Sequence, residues 1–155
     1  MLPYEEDYLR GEKMMDEKLE NFIDDLYERN PFVHLLGMKL EFGCEEYCLF
    51  SMDLKRELHG NAHNQAHGGA TFSLADTAMG ASCAFLNKKV VTQNMQISYF
   101  STAQLGSTIF ARTKLLHNGR RTVGLEVEIK DNMERLIAKA SGSFFVIGHW
   151  VEDGW

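Results

Sequence analysis

A chain of 155 residues, 45% hydrophobic and 25% charged, has the size and composition of one globular domain with a real core, which excludes a disordered or fibrous polymer. Its net charge is −6, and residues 1–30, with ten Asp/Glu against four Lys/Arg, hold all of it. The rest of the chain is balanced, and its three cysteines are an odd number without a C-x-x-C pair, so neither nucleic-acid binding nor a disulfide framework is indicated.

The start, MLPYEEDYLRGEKMMDEKLE, is acidic and lacks the apolar region of a signal peptide. No apolar run approaches the roughly 20 residues that cross a bilayer, so a soluble cytoplasmic protein is expected, without a membrane partner. Next, DEKLENFIDDLYERNP carries Leu19, Phe22, Ile23 and Leu26 at helical spacing, and Asn30-Pro31 ends the pattern. This short amphipathic helix should cover one edge or face of the body.

LGMKLEFG (36–43) and YCLFSMDL (47–54) are short, apolar-rich and separated by turn residues, the pattern of a hairpin. From residue 69 to 87 the chain reads GATFSLADTAMGASCAFLN, small or apolar on every face and without Lys or Arg. Such a helix is expected to be buried all round. The segments at 90–100, 107–117, 122–131 and 135–147 are β-rich, and Val123, Leu125, Val127 and Ile129 alternate with Gly124, Glu126, Glu128 and Lys130. Turn residues at 105–106, 118–119 and 131–132 predict four consecutive antiparallel strands with tight connections. The expected architecture is α+β, one long central helix against an antiparallel sheet of about six strands. It divides into an acidic segment at 1–30, a single domain at 31–148 and a tail at 149–155.

The stretch HGNAHNQAHGGATFSLAD, residues 59–76, carries histidines at 59, 63 and 67, a spacing that would put three metal-binding side chains on one helical face. Gly60, Asn61, Asn64, Gly68 and Gly69 favour turns over helix, so no metal and no other cofactor is expected. What remains is a loop entering a buried helix through His67-Gly68-Gly69, whose first N–H groups have no intrahelical partner and suit a developing oxyanion. Asp76 is the only carboxylate between Glu57 and Glu126, and burying one is costly unless it is paired or used. Gly68 and Asp76 are eight residues apart, about 12 Å along a helix. One helix cannot bring both to a single carbon, whereas two antiparallel copies across a two-fold axis could, so a dimer with two shared sites is expected if both act together.

The motifs HGG-x-x-x-x-L-A-D-T (67–77), NPFVHLLGMKL (30–40) and VTQNMQISYFSTAQLGSTIFARTKLLHNGRRT (91–122) resemble the hotdog-fold acyl-CoA thioesterases, most closely the PaaI-like branch, over about 30–148. The resemblance implies a long helix wrapped by a curved antiparallel sheet, homodimers that often pair into homotetramers, and an acyl-CoA substrate whose thioester is hydrolysed. It assigns Asp76 as the catalytic carboxylate, nucleophile or general base, and Gly68 as the backbone N–H donor to the thioester carbonyl. Asn61 then helps place the carbonyl or water, Thr92 orients the water, His67 holds the loop and Gly69 lies beside the substrate. Residues 88–139 hold nine Lys/Arg against four Asp/Glu, and Arg120, Arg121, Lys88 and Lys89 are the candidates for the phosphates of coenzyme A. The competing expectation is a hotdog protein that binds or senses acyl-CoA without turnover; Asp76 argues for hydrolysis.

Overall fold

The computed structural model describes residues 17–153. Most of the acidic start and the last two residues of the tail therefore lie outside the described residues. Helix α1 (Glu17–Glu28) carries the expected apolar stripe, with Ile23 wholly buried in the core. Asn30-Pro31 does more than end it. Asn30 Oδ1 accepts from the N–H groups of Phe32 and Val33 at 3.1 and 3.3 Å, and Pro31 takes the first position of a second helix, α2 (Pro31–Leu36). An Asn cap followed by Pro is a helix start, which the reading as a stop signal missed. Gly37, at φ 65°, ends α2 in the left-handed conformation glycine favours.

Strands β1 (Met38–Gly43) and β2 (Cys48–Asp53) form the expected hairpin, and a one-turn helix α3 (Arg56–His59) leads into the loop before the central helix. That helix, α4, spans Gly68–Phe85, one residue earlier at its start and two earlier at its end than the sequence pattern suggests. Strands β3 (Lys88–Tyr99), β4 (Thr108–Asn118), β5 (Thr122–Asp131) and β6 (Leu136–His149) follow, and a short helix α5 (Trp150–Asp153) ends the described chain.

The six strands form one antiparallel sheet in the order β1-β2-β4-β5-β6-β3. The expectation of tight connections fails at one place. β3 pairs with β6 rather than β4, so residues 100–107 cross from one edge of the sheet to its middle. The turn residues Leu105-Gly106 end that crossing instead of closing a hairpin.

The sheet wraps α4, whose Leu74, Ala75, Ala78 and Met79 are fully buried against Phe50, Ile109, Leu125 and Ile129. Small side chains along the helix let strands approach closely. Ser82 Oγ lies 2.6 Å from Thr113 Oγ1, which accepts from Cys48 N–H at 2.7 Å, so helix, β4 and β2 are joined by a buried, satisfied polar contact. The helix is not buried all round. Gly69, Phe72, Ser73, Asp76, Thr77 and Gly80 form a partly open stripe at i, i+3 and i+4 spacing. The first two helices wall part of that stripe, and the rest is open to solvent.

Candidate active site

Asp76 stands on that stripe. The chain leaves α4 through Asn87, which takes a left-handed φ of 59°, and β3 runs back along the helix. From Phe85 back to Asp76 is about 13 Å at the helical rise, and from Lys88 forward to Thr92 is about 13 Å at the strand rise. The two residues come level, and Thr92 Oγ1 donates to Asp76 Oδ1 at 2.8 Å. One carboxylate oxygen is thereby held and the other left open. Both residues line a cleft of about 250 Å³ walled by Tyr27, Phe32 and Val33 from the first two helices, with Gly80, Phe144 and Trp150.

The second group lies at the other end of α4. His67 is the cap: its Nδ1 accepts the Gly69 N–H at 2.9 Å, and its carbonyl accepts from Ala70 and Thr71 at 3.0 and 3.4 Å. The Gly68 N–H has no acceptor among the described residues. It belongs to the peptide whose carbonyl takes those two hydrogen bonds, which polarises it further. Of the two glycines, Gly68 alone has its N–H open to a ligand. Tyr99 Oη donates to the Gly68 carbonyl at 2.7 Å, and a Cβ on residue 68 would sit 3.2 Å from that hydroxyl.

Asn61 is beside it. Its Oδ1 accepts from the N–H groups of His63 and Gln65 at 2.9 and 3.1 Å, and the Gly60–Ala66 bridge closes the loop. With its oxygen engaged, the side chain is turned to present its amide N–H groups. Asn61, Gly68 and Tyr99 share a cleft of about 340 Å³.

The three histidines do three different things. His59 is buried, with Nδ1 accepting from Lys55 N–H at 2.8 Å and Nε2 facing the Leu36 carbonyl at 2.9 Å. His63 is exposed and His67 caps α4. No group of three or more His, Cys, Asp or Glu side chains among the described residues is arranged to hold a metal ion. The buried thiols are poor nucleophiles, since burial pushes Cys83 up to about 12 and Cys48 higher still.

Two of the cationic candidates converge with the β4–β5 turn. Lys88 Nζ bonds the Asn118 side chain and, at 2.8 Å, the Gly119 carbonyl, so it stands at the turn that carries the exposed Arg120 and Arg121. Partial burial lowers the Lys88 pKa from the usual lysine value, while nearby Cys83 acts the other way. Lys89 Nζ lies over the Trp150 ring, 5.1 Å from its centroid. Trp150 also stacks near Phe22 and donates its Nε1–H to the Lys88 carbonyl at 3.0 Å. Tyr27, Tyr99 and Trp150 thus adjoin the site although no local motif marks them; each arrives through tertiary packing.

A family model described as the thioesterase superfamily matches residues 63–138. A putative esterase of Archaeoglobus fulgidus is 31% identical over 127 residues, 82% of this chain and 82% of its own. The acyl-coenzyme A thioesterase PaaI of Escherichia coli is 27% identical over 123 residues, 79% of this chain and 87% of its own. A solved structure of the E. coli PaaI protein matches with a TM-score of 0.81 at 24% identity, covering 88% of this chain and 98% of that one. A hypothetical thioesterase from Streptococcus pneumoniae, solved with coenzyme A, matches with a TM-score of 0.72 at 24% identity, over 76% of this chain and 91% of that one. The chain belongs to the thioesterase superfamily, with the hotdog fold of its PaaI-like branch. It is a thioester hydrolase.

Proposed function

We propose that this protein hydrolyses acyl-CoA thioesters at a site shared by two copies, with Asp76 and Thr92 from one subunit and Gly68 and Asn61 from the other. The observation that carries the reading is the split between the two parts of α4. Asp76 and Thr92 are hydrogen-bonded at 2.8 Å in one cleft, while the open Gly68 N–H and Asn61 share another. The E. coli relative acts on acyl-coenzyme A and the S. pneumoniae neighbour was solved with coenzyme A, which supports the substrate class.

The chemistry needs two things of the protein. The thioester carbonyl develops negative charge on oxygen, which the Gly68 N–H and the Asn61 amide stabilise. The Asp76 carboxylate, held in aim by Thr92, either takes a proton from the water that attacks the carbonyl carbon or attacks that carbon itself to form a mixed anhydride that water then hydrolyses. The C–S bond breaks and the coenzyme A thiol leaves as a thiolate, needing little acid help because a thiol pKa is about 8.5. Water supplies the oxygen and the protons of the acid and thiol products. The cluster of Lys88 with the turn that carries Arg120 and Arg121 supports assigning them to the phosphates of coenzyme A. His67 and Gly69 support the loop rather than meet the carbonyl. Dimers are expected to pair further into tetramers.

Subunit mixing tests the shared site. Asp76→Ala removes the carboxylate. Gly68→Pro removes the N–H at a helix position where proline is tolerated, and His67 at φ −66° and ψ 134° already has the backbone that precedes proline. Gly68→Ala, which keeps the N–H, controls for the 3.2 Å approach of an added Cβ to the Tyr99 hydroxyl. Asp76→Ala and Gly68→Pro alone should each release almost no thiol from acyl-CoA. Refolded together in equal amounts, they should recover about a quarter of wild-type activity, since half of random dimers are mixed and each holds one intact site. No recovery while mixed dimers form would defeat the shared site.

A further inference from the structure

The wall of the Asp76 cleft includes a phenol that hydrolysis itself does not use. Tyr27 is contributed by α1, and its ring is fixed edge-on to the buried Phe50, 5.5 Å between centroids at 72°. Its hydroxyl faces Gly80, where an added Cβ would lie 3.8 Å away. Gly80 is one helical turn beyond Asp76, about 6 Å along the axis. A glycine there costs helix stability relative to alanine, and it leaves open the space in front of the Tyr27 hydroxyl.

Several other polar groups of the cleft are engaged. Thr92 is bonded to Asp76, Asn30 Oδ1 caps α2, and Trp150 Nε1 donates to the Lys88 carbonyl. Thr77 is level with Asp76 rather than a turn beyond it. The Tyr27 hydroxyl has no hydrogen-bond partner among the described residues, and burial pushes its pKa upward, so it remains a neutral donor. It is a donor of fixed position, open to a ligand oxygen in a cleft of mixed polar and apolar lining.

We propose that Tyr27 is a specificity-determining residue whose hydroxyl selects acyl groups carrying a hydrogen-bond-accepting oxygen about one helical turn from the thioester carbonyl. The inference rests on reading the Asp76 cleft as the acyl site. An oxygen on the fifth carbon of a short acyl chain lies at that depth. The N-terminal helix then acts as part of the substrate pocket as well as a cover for the sheet.

The test compares kcat/KM for 5-oxohexanoyl-CoA and hexanoyl-CoA, a pair that differs in that one oxygen. Wild type should favour the oxo substrate by roughly 3- to 10-fold, the range of one neutral hydrogen bond. In Tyr27→Phe the ratio should fall toward one. Gly80→Ala, which favours the helix and narrows the space before the hydroxyl, should lower the ratio too and keeps the test open should Tyr27→Phe fold poorly. Equal rates in wild type, or a ratio unchanged by Tyr27→Phe, overturn the assignment of Tyr27 alone. A wild-type protein that releases no thiol from either substrate overturns the cleft reading and this inference with it.

Discussion

Strands β5 and β3 are both rich in β-forming residues, yet they end in opposite situations. β5 is central, and its Val123, Leu125, Val127 and Ile129 are buried in strict alternation while Glu126 faces solvent and Glu128 and Lys130 are part-buried on the same outer side. β3 is a 12-residue edge with one neighbour, exposed or half-exposed along its whole length, including Val91 and Tyr99. Beside it runs the open stripe of α4 that holds Asp76. A long open edge next to a partly uncovered helix is a template for another strand. The pair teaches that the single chain finishes its core on the β5 side and leaves an open helix stripe and strand edge on the other.

The largest effects should come from the unfinished side. Asp76→Ala is expected to lower kcat by roughly 10²- to 10⁴-fold on any acyl-CoA, followed by thiol release, with the melting temperature little changed. Equal rates in variant and wild type would remove Asp76 from the mechanism. Gly68→Pro alone should cost about 10²- to 10³-fold, the range for one oxyanion donor.

On the finished side the readout is stability. Leu125 is fully buried, so Leu125→Ala should cost roughly 2–5 kcal/mol in denaturant unfolding. A loss well below 1 kcal/mol would mean that β5 is not the centre of the core. Between the two regions, Val91→Lys puts a charge on the open edge and should shift the mass measured by light scattering from dimer toward monomer. A wild-type chain that runs as a monomer at assay concentration would break the comparison itself. The smallest effect is expected at Thr92: replacement by Val, which cannot hold the carboxylate, should cost about tenfold in kcat, and Ser should restore most of it.

Much of this architecture is legible in the sequence alone, and the reasons are local. The alternation of β5 and the small, uncharged α4 each carry their own period, so element type and the α+β class follow directly. Asp76 stands out as a lone carboxylate in an uncharged helix and Gly68 as part of its glycine entry, while the role of Asn61 comes from the family resemblance. Other features have no local signal. Asn30-Pro31 reads equally as a stop or a start, and only the docking of Val33 in the core selects a second helix. The crossing of residues 100–107 depends on which strand edge is free, and turn residues cannot say that. Tyr27, Tyr99 and Trp150 look like ordinary apolar residues of a helix, a strand end and a tail.

What the sequence determined by itself, then, is the six strands and the two longer helices, the family pattern at 67–77 and the spacing that denies one helix both halves of a site. Those follow from periodicity, turn chemistry and the fixed rise of a helix. Only the tertiary structure decided that β3 takes the edge beside β6 and that Thr92 comes level with Asp76. It likewise brought Lys88 to the turn at 118–121 and turned the Tyr27 hydroxyl toward Gly80. Those contacts join residues 16 to 61 positions apart, and their geometry is set by how the sheet curls around α4 rather than by any one segment.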